Sequence, residues 1–137
     1  LGSDEVHLVH VGDSRAYLLR GGVLKQLTED HSVTGQLVVA GKLTAAEARE
    51  YPHRDQLLQA LGRGVKLAPQ SVRLNFSLGD SLGLCSDGLT RMLAEEEITE
   101  ALGEHGSCVR PCRSLTEMAC ARGARDDVTV CLVRRIE

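Results

Sequence analysis

An α+β fold is what the sequence predicts, with antiparallel strands interrupted and followed by helices. Three observations carry it. Ala16 to Leu19 and Val23 to Leu27 are β-rich runs on either side of Gly21-Gly22, a hairpin signal. Residues 31 to 62 then change character and read as a small helical insertion. Alternation of apolar and polar residues returns from Val72 to Phe76, so the insertion lies between two β regions.

Each element has a local cause. Val6 to Val11 is a short β-rich run before the hairpin. Ser32 caps a helix carrying Val33, Leu37 and Val38 on one side and stopped by Gly41. Thr44-Ala45-Ala46-Glu47 is a capping box, and its helix ends near Tyr51-Pro52. A third helical stretch is expected over Gln56 to Leu61. Gly79-Asp80 turns the chain into a strand from Ser81 to Cys85. Ala94 to about Leu102 reads as a helix with acids in its first turn, where the dipole favours them, although Ala94 offers no side-chain acceptor as a cap. Pro111 at a first helical position opens a longer helix whose inner face is Cys112, Leu115, Met118 and Ala119, closed by Gly123. Val128 to Val133 is apolar on both faces and is expected to be an internal strand.

Composition narrows the function classes. The 137 residues are 42% hydrophobic and 26% charged, the balance of one globular domain with its own core. Aromatics make up 2%, so the core is aliphatic, and this scarcity argues against base-stacking platforms. With a net charge of -3 the chain has no nucleic-acid footprint. There is no apolar run long enough to span a bilayer and no signal-peptide pattern, so a cytoplasmic location is expected. The five cysteines match no common zinc spacing. Cys85 and Cys131 lie in strand-like runs and Cys112 and Cys120 on the apolar face of a helix, which reads as buried, reduced thiols. A His105/Cys108/Cys112 metal cluster is disfavoured by Pro111 and a missing fourth ligand.

Three aspartates sit where apolar strands break: Asp13 in Val11-Gly12-Asp13-Ser14-Arg15, Asp87 in Cys85-Ser86-Asp87-Gly88, and Asp126 in Arg125-Asp126-Asp127-Val128-Thr129. Carboxylates at strand ends suit a hard divalent cation, since magnesium and manganese take oxygen ligands, few from the protein, with waters completing the shell. The structural alternatives are a turn aspartate capping the next segment for Asp87, a loop acid paired with Arg125 for Asp126, and a turn aspartate held by Ser14 or Arg15 for Asp13. Ser86 and Cys85 lack a visible partner base and are not read as nucleophiles. His31 reads as a flap or capping residue, His7 and His10 as locally satisfied, and His53, Arg54 and Arg63 as solvated surface or contacts to a phosphate-bearing ligand. Gly-Asp-Ser recurs at 79–81, where it reads as a plain hairpin turn.

Taken in order, Val11-Gly12-Asp13-Ser14-Arg15-Ala16-Tyr17, Leu27-Thr28-Glu29-Asp30-His31-Ser32, Gly79-Asp80-Ser81-Leu82 leading into Cys85-Ser86-Asp87-Gly88-Leu89, and Gly123-Ala124-Arg125-Asp126-Asp127-Val128-Thr129-Val130 resemble the metal-dependent type 2C protein serine/threonine phosphatases, the bacterial branch best. The resemblance covers nearly the whole chain and implies an antiparallel β-sandwich flanked by helices, with residues 31 to 62 as the family's helical flap. It implies Mn²⁺ or Mg²⁺ as cofactor, Asp87 and Asp126 as ligands of a central metal, Asp13 with Asp87 at a looser third site, and a phosphoprotein as substrate. Asp127 stands where the family usually has Asn.

The family's Asp-Gly-x-Gly-Gly-like motif and upstream phosphate-binding arginine are not found. Leu1-Gly2-Ser3 reads as a cloning remnant, and residues 4 to 137 as the C-terminal part of such a domain, about 100 residues short at the usual domain scale. The expectation is metal-dependent hydrolysis of phosphoserine and phosphothreonine, with this chain supplying part of the metal site. A complementary N-terminal half or a second copy is then the partner. The alternative is a non-catalytic interaction module or regulatory remnant of the same fold.

Overall fold

The computed structural model describes residues 4–54, 56–64 and 66–136. The expected remnant at residues 1 to 3 lies outside them. Strand β1 (Glu5–His10) pairs with β4 (Gln70–Asn75) in a two-stranded sheet. Strands β2 (Arg15–Arg20), β3 (Val23–Gln26), β5 (Ser81–Cys85) and β6 (Val130–Arg134) form a second sheet in the order β3-β2-β5-β6. Every pairing is antiparallel. The β2–β3 turn is Gly21-Gly22, with φ of +57° and +80°. These left-handed values belong to a two-residue hairpin turn that a Cβ would strain.

Alternation along the strands builds the layers. Tyr17 and Leu19 face one way from β2 and pack with Leu89, Leu93, Ile98 and Leu115, under helices α4 (Glu95–Gly103) and α5 (Val109–Ala121). Leu18 and Leu82 face the other way and meet Leu74 and Val6 of the two-stranded sheet and Phe76 just beyond β4. The order is therefore helices, four-stranded sheet, two-stranded sheet. Gly83 lets α4 approach, because a Cβ there would lie 2.9 Å from a Leu102 methyl. Full burial of a leucine such as Leu89 or Leu93 contributes about 1.5–3 kcal/mol.

Helices α1 (Val33–Val39) and α2 (Ala45–Glu50) form the insertion. Ser32 caps α1 by accepting from the Gly35 amide, and Thr44 and Glu47 make the expected reciprocal box on α2. Gln56 to Leu61 is not the third helix the pattern predicts; Asp55 falls outside the described residues. The amides of Leu58 and Gln59 are taken by the His31 carbonyl, Leu57 bridges Ser32, and the Gln56 carbonyl accepts from Val33. Tertiary pairing of this backbone replaces the i→i+4 bonds a helix would need.

Other expectations shift. Residues Asp87–Thr90 form a short helix, α3, which the sequence reading does not contain. Helix α5 begins at Val109, so Pro111 lies inside the first turn rather than at its head, still where no intrahelical amide is required. Among the described residues strand β6 is an edge strand, not an internal one, and Val133 is 45% exposed. Only Cys85 is a buried thiol: Cys108 and Cys112 are half-buried and Cys120 and Cys131 exposed. Gly79-Asp80 joins strands of two different sheets and is no hairpin turn. There Asp80 is buried and receives a two-pronged pair from Arg20, at 2.9 and 2.6 Å.

Candidate metal centre

Register places the three aspartates. Arg15 pairs with Cys85, and Cys85 with Val130, so the start of β2, the end of β5 and the start of β6 share one end of the four-stranded sheet. Asp13 precedes that start of β2, Asp87 follows that end of β5, and Asp126 precedes that start of β6.

Asp13 lies in a turn locked to the insertion. The His31 amide donates to the Gly12 carbonyl at 2.8 Å, and the Gly12 amide donates to Nδ1 of His31 at 3.3 Å. Gly12 has φ +112°, a conformation only glycine adopts readily. His10 donates from Nε2 to the Glu29 carbonyl at 3.1 Å and lies 4.9 Å from the His31 ring. Burial, then the nearby His10, lower the pKa of His31 and favour the neutral ring that accepts from Gly12. His31 is thus an anchor for the turn. His7 stands near Glu5, on the exposed side of β1.

Asp87 is the first residue of α3. Its Oδ2 lies 2.6 Å from Nη2 of Arg91, and the same nitrogen is 3.6 Å from Oδ2 of Asp13. Burial raises the pKa of Asp13 and the Asp87 charge raises it further, with Arg91 offsetting part of the effect. Arg15 does not hold Asp13. It grips Asp30 through Nε and Nη2, at 2.9 and 2.7 Å, and donates to the Tyr17 hydroxyl.

Ser86 ties Asp126 to this end. Its hydroxyl donates to the Asp127 carbonyl at 2.8 Å and accepts the Thr129 amide at 2.9 Å, while its own amide donates to the Thr129 carbonyl. Gly88 permits the closeness: a Cβ there would lie 2.6 Å from the Asp127 carbonyl oxygen. Oδ1 of Asp126 accepts the Asp127 amide at 2.9 Å, so the extra acid at 127 contributes its backbone to the loop.

A cavity of about 420 Å³ opens beside Asp13 and Asp87, walled on the insertion side by Thr34, Arg49 and Arg54. The Arg54 guanidinium donates to the Arg49 carbonyl, and Arg63 donates to the Leu57 carbonyl at 3.3 Å. Among the described residues no three His, Cys, Asp or Glu side chains converge closely enough to hold a metal ion. The all-oxygen donors suit a hard cation, and Asp13 and Asp87 share a site of positive charge. Sequence reasoning missed Arg91 and the tie made by Ser86. Arg91 was detectable as the basic member of an i, i+4 pair with Asp87.

Antiparallel sheets lie under helices, with acids at one sheet end, and by sequence and fold the chain is similar to the C-terminal portion of bacterial serine/threonine phosphatases, one of them a putative phosphatase of the 2C type. It is 38% identical over 135 residues to the serine/threonine phosphatase stp of Listeria monocytogenes, covering 98% of this chain and 54% of that protein. It superposes on the S. agalactiae serine/threonine phosphatase with TM-score 0.88 and 35% identity, covering 98% of this chain and 55% of the other. The catalytic domain of PstP, solved with two manganese ions, is 35% identical with TM-score 0.80 over 96% of this chain and 54% of its own. The chain thus spans about half the length of these proteins. No protein-family model matches it. Among the described residues no helix is long and apolar enough to cross a membrane.

Proposed function

We propose that this chain is part of a metal-dependent protein serine/threonine phosphatase and supplies carboxylates to its metal site. The observation that carries the reading is the gathering of Asp13, Asp87 and Asp126 at one end of one sheet, on register alone. Asp87 and Asp126 would hold Mn²⁺ or Mg²⁺, with Asp13 at an outer position. The relative with two manganese ions supports that choice of metal. Bound there, such ions supply a water of lowered pKa and positive charge for a phosphoryl group. The chain's own residues position the ligands: Ser86 and Gly88 hold the Asp126 loop against α3, and His31 holds the Asp13 turn. Residues 31 to 62 act as a flap over the cavity, presenting Arg49 and Arg54 to a phosphoprotein. Residues 4 to 137 would then be the C-terminal part of the domain, completed by an N-terminal half or a second copy. A cytoplasmic setting, which keeps thiols reduced, belongs to the same proposal.

Hydrolysis of a phosphothreonine peptide by the full-length protein, with and without Mn²⁺, tests this. Metal-dependent turnover lost in Asp87→Ala and Asp126→Ala supports it; equal turnover in both variants overturns it. The absence of a three-ligand cluster among the described residues favours a second reading, a non-catalytic binding module. That reading requires no turnover with any metal.

A further inference from the structure

We infer that Arg91 is a built-in counter-ion closing the Asp13–Asp87 pair, so that a divalent cation reaching this pair must displace a guanidinium. One nitrogen of Arg91 serves both carboxylates, at 3.6 and 2.6 Å. Like charges repel strongly at such range away from bulk water, so guanidinium and cation compete for the same oxygens. The backbone beneath cannot step aside. The Arg91 amide donates to the Asp87 carbonyl at 3.0 Å, and Leu93, two residues on, is almost fully buried in the core. Any exchange is therefore a swing of the Arg91 side chain, which is 29% exposed and borders the cavity. The inference rests on the metal reading for its ligand, and concerns which protein group opposes it.

The test is Mn²⁺ binding to the full-length protein by electron paramagnetic resonance and calorimetry, in wild type, Arg91→Gln and Arg91→Met. The expected result is a site about tenfold tighter in both variants, a coupling of ordinary size, lost again when Asp13→Asn is added. In chelator both variants should melt below wild type, and Mn²⁺ should raise their melting temperature more than it raises that of wild type. Wild type that binds Mn²⁺ with an affinity the variants do not change overturns the inference and leaves the metal reading standing. No Mn²⁺ binding in wild type or variants overturns both.

Discussion

Nη2 of Arg91 lies 2.6 Å from Oδ2 of Asp87, one helical turn away, and the same nitrogen also reaches Asp13. Two acids brought in by different strands thus share one cation belonging to the chain itself. Asp126, tied to the same sheet end through Ser86, is held by backbone.

Asp87→Ala and Asp126→Ala in the full-length protein should each lower Mn²⁺-dependent kcat on a phosphopeptide by at least about 100-fold, the upper range for disturbing a metal site. Neither side chain belongs to the apolar core, so far-ultraviolet circular dichroism should be unchanged. Ordinary turnover in both would remove them from the site.

Gly88→Ala should destabilise the fold by about 1–3 kcal/mol, the usual cost of forcing atoms into a packed contact. The added methyl would meet the Asp127 carbonyl oxygen at 2.6 Å, and that oxygen is already held by Ser86. Urea denaturation reads the loss. An unchanged midpoint would mean that the loop yields freely.

Acid should weaken the junction of α4 and α5. Arg122 grips Glu97 with two nitrogens, the Ala94 amide adds a third bond, and together they hold the Glu97 carboxyl down at about 2. A depressed carboxylate stabilises the folded state fully above its unfolded value of 4.5, and the contribution fades as pH falls toward 2. Glu97→Gln should flatten the fall of melting temperature across that window; an identical slope in wild type and variant would contradict the pair's role.

Thiol labelling should be sharply graded. Burial pushes the Cys85 thiol up to about 11, while Cys120 and Cys131 are exposed. A maleimide at neutral pH should add rapidly to Cys120 and Cys131 and reach Cys85 only on unfolding, because the thiolate is the nucleophile. Peptide mass spectrometry locates the adducts, and early labelling of Cys85 would refute its burial.

Local signals were the legible part of this fold. The glycine pair at 21–22, the Thr44–Glu47 box and Gly123 after α5 each depend on residues within a few positions, and each stands where the sequence put it. The three aspartates stood out because each interrupts an apolar run, and register puts their segments at one sheet end. What failed depended on distant partners. Leu58 and Gln59 gave their amides to the His31 carbonyl, which no helical pattern anticipates. The apolar run at Val128 to Val133 does not reveal that nothing pairs beyond β6 within the described residues. Arg91 lies between Thr90 and Met92 in sequence, and its bridge to Asp13 spans the sheet end.

The Ser86 tie also bears on inheritance. The Asp87 and Asp126 segments lie some forty positions apart, yet one hydroxyl and one missing methyl fit them together. A lineage in which residue 88 gained a side chain would have to reshape residues 126 to 129 as well, and one that lengthened that loop would strand the Ser86 hydroxyl. The two segments should drift together or not at all, as one unit of selection written in two places.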